Sequence, residues 1–167
     1  VTGGKAANVI AKDADLIIAV GSRLTDFTTA SKWLFPNAQT LSINVCDFDA
    51  VKSDGVAIVA DAKEALSAIT AELQDYKSQY KDEIAVAKAE YKKIVDDLYS
   101  AQSPDGLVQT TAFGIINEFM GENDVAVGSS GSLPGDLQRL FRPKNPRTYH
   151  VEYGFSNMGY EVNAALG

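Results

Sequence analysis

Only one cysteine, Cys46, and one histidine, His150, occur in the 167 residues. A disulfide framework needs paired cysteines, and a zinc-type centre needs several thiolates or imidazoles together, so the composition excludes both. A lone thiol fits a reducing cytoplasm. Basic residues are also in the minority: 15 Lys and Arg against 22 Asp and Glu leave a net charge of −7, and the basic ones are scattered along the chain. That balance argues against a nucleic-acid partner and against an anionic membrane surface. No apolar run approaches the roughly 20 residues that span a bilayer, and the start has no basic stretch leading into an apolar one. What is present is 46% hydrophobic residues, enough for one substantial core or two small ones. The chain starts at Val1 without a methionine and stops at Leu166-Gly167 in what reads as mid-helix, which predicts a piece of a larger protein.

The layout alternates. Helix-prone residues 5–12 lead through Asp13-Ala-Asp15 into Leu16-Ile-Ile-Ala-Val20, a continuous apolar run of the kind that forms buried parallel strands. A helix is expected near Thr28–Leu34, then the turn Phe35-Pro-Asn37 and a second strand, Thr40–Val45. Val56–Val59 reads as a third strand. It precedes a helix from Asp61 to about Leu73, with Asp61 as N-cap and Glu64 three residues on, as in a capping box. From Tyr76, the apolar positions Tyr80, Ile84, Ala87, Tyr91, Ile94, Val95 and Leu98 recur at helical spacing, so one long amphipathic helix runs to the turn Ser103-Pro-Asp-Gly106. A new unit follows: a helix over Leu107–Met120, a strand over Val125–Val127, a short helix near Pro134–Leu140, and the proline-rich connection 142–147. The pattern predicts an open, mostly parallel α/β sheet, with a domain boundary near residue 100.

Three motifs invite a chemical reading. Val20-Gly-Ser-Arg-Leu-Thr-Asp-Phe27 runs a strand straight into a glycine, and Asn44, Asp47 and Asp49 end the next strand, where a carboxylate could accept ribose hydroxyls. A plain strand-to-helix turn with solvated acids explains the same residues. Gly128-Ser-Ser-Gly-Ser132 follows a strand, with Ser132 placed to cap the next helix. Free backbone N–H groups and hydroxyls suit a diphosphate there, although Asp136 would repel an anion if it pointed inward, and a well-capped loop is the alternative. Gly154-Phe-Ser-Asn-Met-Gly-Tyr160 places a methionine among small residues before a helix, the usual setting of a core plug.

In order and spacing, these motifs resemble the thiamine-diphosphate enzymes of the acetolactate-synthase type, over the whole chain. The resemblance divides it into the C-terminal half of a Rossmann-like central domain (1–75), a linker helix (76–102) and the first part of a thiamine-diphosphate-binding domain (103–167). The segments Asp26–Lys32, Ile43–Ala50, Gly131–Leu137 and Tyr149–Glu161 are similar to the branch of that family that opens a cyclic 1,2-diketone in inositol catabolism.

The resemblance implies a bent cofactor wedged by Met158, with the Ser156 carbonyl and the Met158 N–H meeting its pyrimidine and Gly128, Ser129 and Ser130 meeting its diphosphate. Many relatives have glycine in place of Ser156. The family's metal motif, Gly-Asp-Gly followed by Asn, would hold Mg²⁺ and is expected beyond Gly167; Ser53-Asp-Gly55 and Pro104-Asp-Gly106 are turn lookalikes. The activating glutamate is expected in an N-terminal domain, across a subunit interface of a homodimer or homotetramer. Arg23, Asp47 and Asp49 match the flavin or ADP pocket of some relatives and are expected to be a vestigial site or a packing feature here. The implied activity is a cytoplasmic C–C hydrolase yielding 5-deoxyglucuronate, with these residues alone inactive. A 2-keto acid synthase or decarboxylase is the nearest alternative, and a non-catalytic nucleotide-binding or assembly module is the other.

Overall fold

The computed structural model describes residues 3–152 and 154–167, which form two compact units, Gly3–Lys88 and Ala89–Gly167. Tyr153 of the closing motif lies outside the described residues.

The first unit is a three-stranded parallel sheet in the order β1 (Leu16–Val20), β2 (Gln39–Asn44), β3 (Val56–Val59). Its register runs from Leu16 opposite Gln39 to Val20 opposite Ile43, and from Leu41 opposite Val56 to Asn44 opposite Val59. Central β2 holds the most buried residues, Ile43 and Ser42, while β1 and β3 expose Leu16, Ile18, Val56 and Val59 at the edges. Around the sheet lie α1 (Lys5–Lys12), α2 (Asp26–Thr29), α3 (Asp47–Val51) and α4 (Ala62–Leu73). Asp61 caps α4 as its sequence predicts, accepting the N–H groups of Lys63 and Glu64.

Two details differ from expectation. The helix near Thr28–Leu34 is a single turn, α2, because Thr29 bends the chain back on itself: its hydroxyl donates to the Thr25 carbonyl and accepts the Lys32 N–H. Ala30, Ser31 and Lys32 then follow with φ of 50°, 53° and 70°. Asp47 and Asp49, expected in a loop, occupy the first turn of α3, where carboxylates favour the positive end of a helix. Gly55 before β3 is required by space, since a Cβ there would sit 2.0 Å from the Thr40 carbonyl oxygen.

The chain passes along α5 (Lys81–Tyr99) into the second unit, which contains α6 (Gln109–Phe119), β4 (Ala126–Gly128), α7 (Ser132–Leu140), β5 (Tyr149–Val151) and α8 (Tyr160–Leu166). Its core is Val95, Phe113 and Leu140, with Tyr91, Leu98, Tyr99 and Leu137 against it. The last carbonyls of α5 need partners, and the Thr110 hydroxyl of α6 supplies one by donating to Leu98, while the Thr111 hydroxyl donates to the Ala101 carbonyl just past the helix end. Buried Asn117 donates to the Arg142 carbonyl at 2.8 Å and accepts the Arg142 N–H at 3.0 Å, pinning the segment after α7 to α6. The Arg142 guanidinium lies 5.1 Å above the Tyr99 ring and bonds Asp96 at 2.7 Å. Lys92 first, and Arg142 with it, hold the Asp96 carboxyl below its ordinary range.

Candidate functional site

Strands β4 and β5 pair in parallel, Ala126 with Tyr149 and Gly128 with Val151. Strand β5 is an element the sequence reading missed. Parallel pairing delivers both carboxyl ends to one edge, the edge at which open α/β sheets bind ligands. The Glu152 N–H donates to the Gly128 carbonyl, extending the pairing to the last residue before the loop 154–159.

Chain leaving β4 passes Ser129, Ser130 and Gly131 into α7. Ser132 was the expected cap, but it is the first residue of the helix. The N-cap is Gly131, with φ 91° and ψ −165°, a backbone conformation open essentially to glycine. No side chain caps α7 and no acidic residue stands in its first turn, which is led by the N–H groups of Ser132 and Leu133, while Pro134, third in the helix, has no N–H to offer. Asp136 does not point among them, because its carboxylate bonds Arg139 and accepts from Gln109 Nε2 at 2.8 Å. An uncapped helix start behind a glycine, free of negative charge, suits an anion such as a diphosphate.

The two sequence motifs meet at one bond. Ser129 is fully buried, and its hydroxyl donates to the Asn157 carbonyl at 2.5 Å. The Ser129 side chain is thus committed inside its unit, while Ser130 is only half-buried. Gly128 is buried, yet a Cβ there would meet Leu137 at 3.5 Å, an ordinary contact, so packing inside the unit does not demand glycine.

Across the loop, Ser156 has φ 54° and Gly159 φ 87°, both left-handed. The first explains why glycine fits this position as well as serine. Met158 does not plug a core within its unit: it is 89% exposed, and Phe155 is 86% exposed. Both side chains are presented outward by a loop fixed through its backbone. His150, at the middle of β5, has its Nε2 2.7 Å from the Tyr160 hydroxyl, with the rings stacked at 5.7 Å.

The first unit shows a different arrangement at Arg23, Asp47 and Asp49. Asp49 pairs with Lys52 at 2.9 Å, and Asp47 accepts the Phe48 N–H. Asn44 is the organiser there, donating to the Ser22 carbonyl and accepting the Cys46 N–H. A cavity of about 580 Å³ opens beside α2 and α3, lined by Leu24, Asp26, Thr29, Phe35, Thr40 and Phe48 among others. Arg23, Asp47 and Asp49 are not among its lining residues.

Among the described residues, no three His, Cys, Asp or Glu side chains come close enough to hold a metal ion. No helix among them is long and apolar enough to cross a membrane.

Comparison with known proteins agrees with the motifs. Residues 1–69 match the family model described as thiamine pyrophosphate enzyme, central domain. Over its whole length, the chain is 47% identical to the 3D-(3,5/4)-trihydroxycyclohexane-1,2-dione hydrolase of Geobacillus thermodenitrificans (strain NG80-2). It is 45% identical to the protein of that name from Clostridium tetani and 46% identical to that from Bacillus cereus (strain AH820), again over all of its residues. The chain spans 30% of the length of these relatives. Residues 1–69 therefore carry a thiamine pyrophosphate enzyme central domain, and the chain as a whole is similar to part of the dione hydrolases.

Proposed function

We propose that the polypeptide carrying this chain is a cytoplasmic, homo-oligomeric, thiamine-diphosphate- and Mg²⁺-dependent hydrolase that opens a trihydroxycyclohexane-1,2-dione ring by cleaving a C–C bond. The observation that carries the reading is the Ser129–Asn157 bond, which joins the diphosphate-type loop and the methionine loop at one sheet edge. Similarity over the whole chain to part of the dione hydrolases supports the substrate class.

Residues on both sides of that bond fit the cofactor. The uncapped start of α7 would receive the diphosphate, with the backbone of Gly128 and Ser129 and the hydroxyl of Ser130 beside it. Met158, held clear of any core, would wedge beneath the rings, and the backbone of Ser156 and Met158 would meet the pyrimidine. Bound there, thiamine diphosphate supplies the nucleophile and the electron sink that C–C cleavage next to a carbonyl requires. This chain's part is to bind and orient. The leading N–H groups of α7 oppose negative charge, the loop backbone fixes direction, and the exposed apolar side chains of Phe155 and Met158 would keep water from the face they cover. Mg²⁺ is implied by the family resemblance.

The test is turnover of the dione by the complete polypeptide with thiamine diphosphate and Mg²⁺, followed by stripping the cofactor. Ring opening should stop on removal and return on addition. Retained turnover without cofactor, or brisk consumption of pyruvate with no ring opening, would overturn the assignment.

A further inference from the structure

Sequence motifs drew attention to Ser156 and Met158, but not to what holds them in place. The loop 154–159 gains little from burial, since its residues are exposed and its two large apolar side chains stand in solvent. It also carries a conformational cost: a serine in the left-handed region is disfavoured and persists only where its surroundings fix it. Something polar must therefore order it.

We propose that Glu152 is the positioning residue of this loop, its carboxylate serving as the template on which the backbone carrying Ser156 and Met158 folds. Glu152 stands one residue past β5, and its own N–H is anchored on the Gly128 carbonyl. From there, Oε1 accepts the Phe155 N–H at 2.8 Å and Oε2 accepts the Asn157 N–H at 3.2 Å. These two donors flank Ser156, so the carboxylate spans the one strained residue. Ser129 grips the Asn157 carbonyl from the β4 side, which makes Asn157 the point where both clamps meet. Four successive amides bear on the group: the Phe155 N–H most strongly, then those of Asn157, Ser156 and Gly154, hold the carboxyl below its ordinary range against partial desolvation. Only an ionised carboxylate offers two acceptors to such a nest, and hydrogen bonds to a charged acceptor are the stronger kind.

That the positioned loop serves thiamine diphosphate rests on the function proposed above; the clamp itself rests on the geometry alone. The discriminating variant is Glu152→Gln in the complete polypeptide. It keeps the size of the side chain but replaces one acceptor with an NH₂ that faces an N–H. Glu152→Asp, which keeps the charge but shortens the reach, is the second variant. Hydrogen exchange at the amides of Phe155 and Asn157 is read without cofactor, and thiamine diphosphate affinity is read by calorimetry with Mg²⁺. Both variants should exchange about tenfold faster at these two amides, with β4 and α7 unchanged, and Glu152→Gln should weaken thiamine diphosphate binding by about tenfold. Unchanged exchange at Phe155 and Asn157 in both variants would overturn the proposal. If the wild-type polypeptide bound no thiamine diphosphate while the variants still exchanged faster, the clamp would stand and the cofactor reading would fall.

Discussion

Two turns in this chain have nearly the same local sequence and different fates. After β1 comes Val20-Gly-Ser-Arg; after β4 comes Val127-Gly-Ser-Ser. In the first, the end of the neighbouring strand contributes Asn44, whose amide donates to the Ser22 carbonyl and accepts the Cys46 N–H, so the crook closes on itself. In the second, the neighbouring strand continues into a loop, the buried Ser129 hydroxyl reaches 28 residues ahead to the Asn157 carbonyl, and the next helix starts with no acid in its first turn, where α2 after the first crook carries Asp26. A strand ending in Gly-Ser is therefore neither a binding site nor an inert turn. What the adjacent strand end supplies decides between them.

Substitutions can break this contrast. Ser129→Val should cost about 3 kcal/mol, because it leaves the Asn157 carbonyl without its donor and crowds an enclosed position. Ser22→Val should stay within about 1 kcal/mol, since its hydroxyl only accepts the nearby Leu24 N–H from a half-buried position. Urea unfolding of the complete polypeptide, with hydrogen exchange to assign the affected unit, reads both; equal costs would remove the distinction. Asn44→Ala should cost about 2 kcal/mol in the first unit by orphaning two backbone groups, and it should leave thiamine diphosphate affinity unchanged.

Gly131→Ala should destabilise by about 1–3 kcal/mol, on backbone conformation alone, because the space around it is open. Gly21→Ala, at φ 61°, needs only the left-handed region and should lose about 1 kcal/mol. Gly128→Ala is expected to move stability by less than about 0.5 kcal/mol, as its Cβ would make ordinary contacts, yet to weaken thiamine diphosphate binding where the backbone must approach the diphosphate. Undiminished binding would argue against that approach.

The smallest effect at neutral pH is the titration of the Glu152 clamp. A carboxyl whose folded pKa is depressed contributes its full order above the unfolded value, about 4.3, and loses it only as pH falls through the lower folded value. The amide shifts of Phe155 and Asn157 should therefore stay flat from neutral pH down to about 5 and move with a midpoint below about 4.3. A midpoint at or above that value would contradict the clamp.

Much of the fold was legible in the chain. Apolar runs at Leu16–Val20 and Val56–Val59 became strands, and Asp61 became the cap of α4, because these signals are local and propensity and burial point the same way. Two short elements escaped, β5 and α3. Strand β5 is too short for its alternation to register, and α3 hides behind the acids that favour its first turn. The site was legible as two separate words; that Ser129 spans them, and that Glu152 holds one of them, depends on residues 28 apart in one case and on loop backbone in the other.

By itself, the sequence determined most of the longer helices and strands, that the strands run parallel, and which loops carry glycines, serines and a methionine in a pattern that resembles a diphosphate cofactor's cradle. Periodicity and residue chemistry suffice for that, since each is read within a few residues. Only the tertiary structure decided which of two similar turns closes on itself and which ties itself to a loop 28 residues ahead. Hydrogen-bond partners are set by what the neighbouring strand brings alongside, and no local signal carries that information.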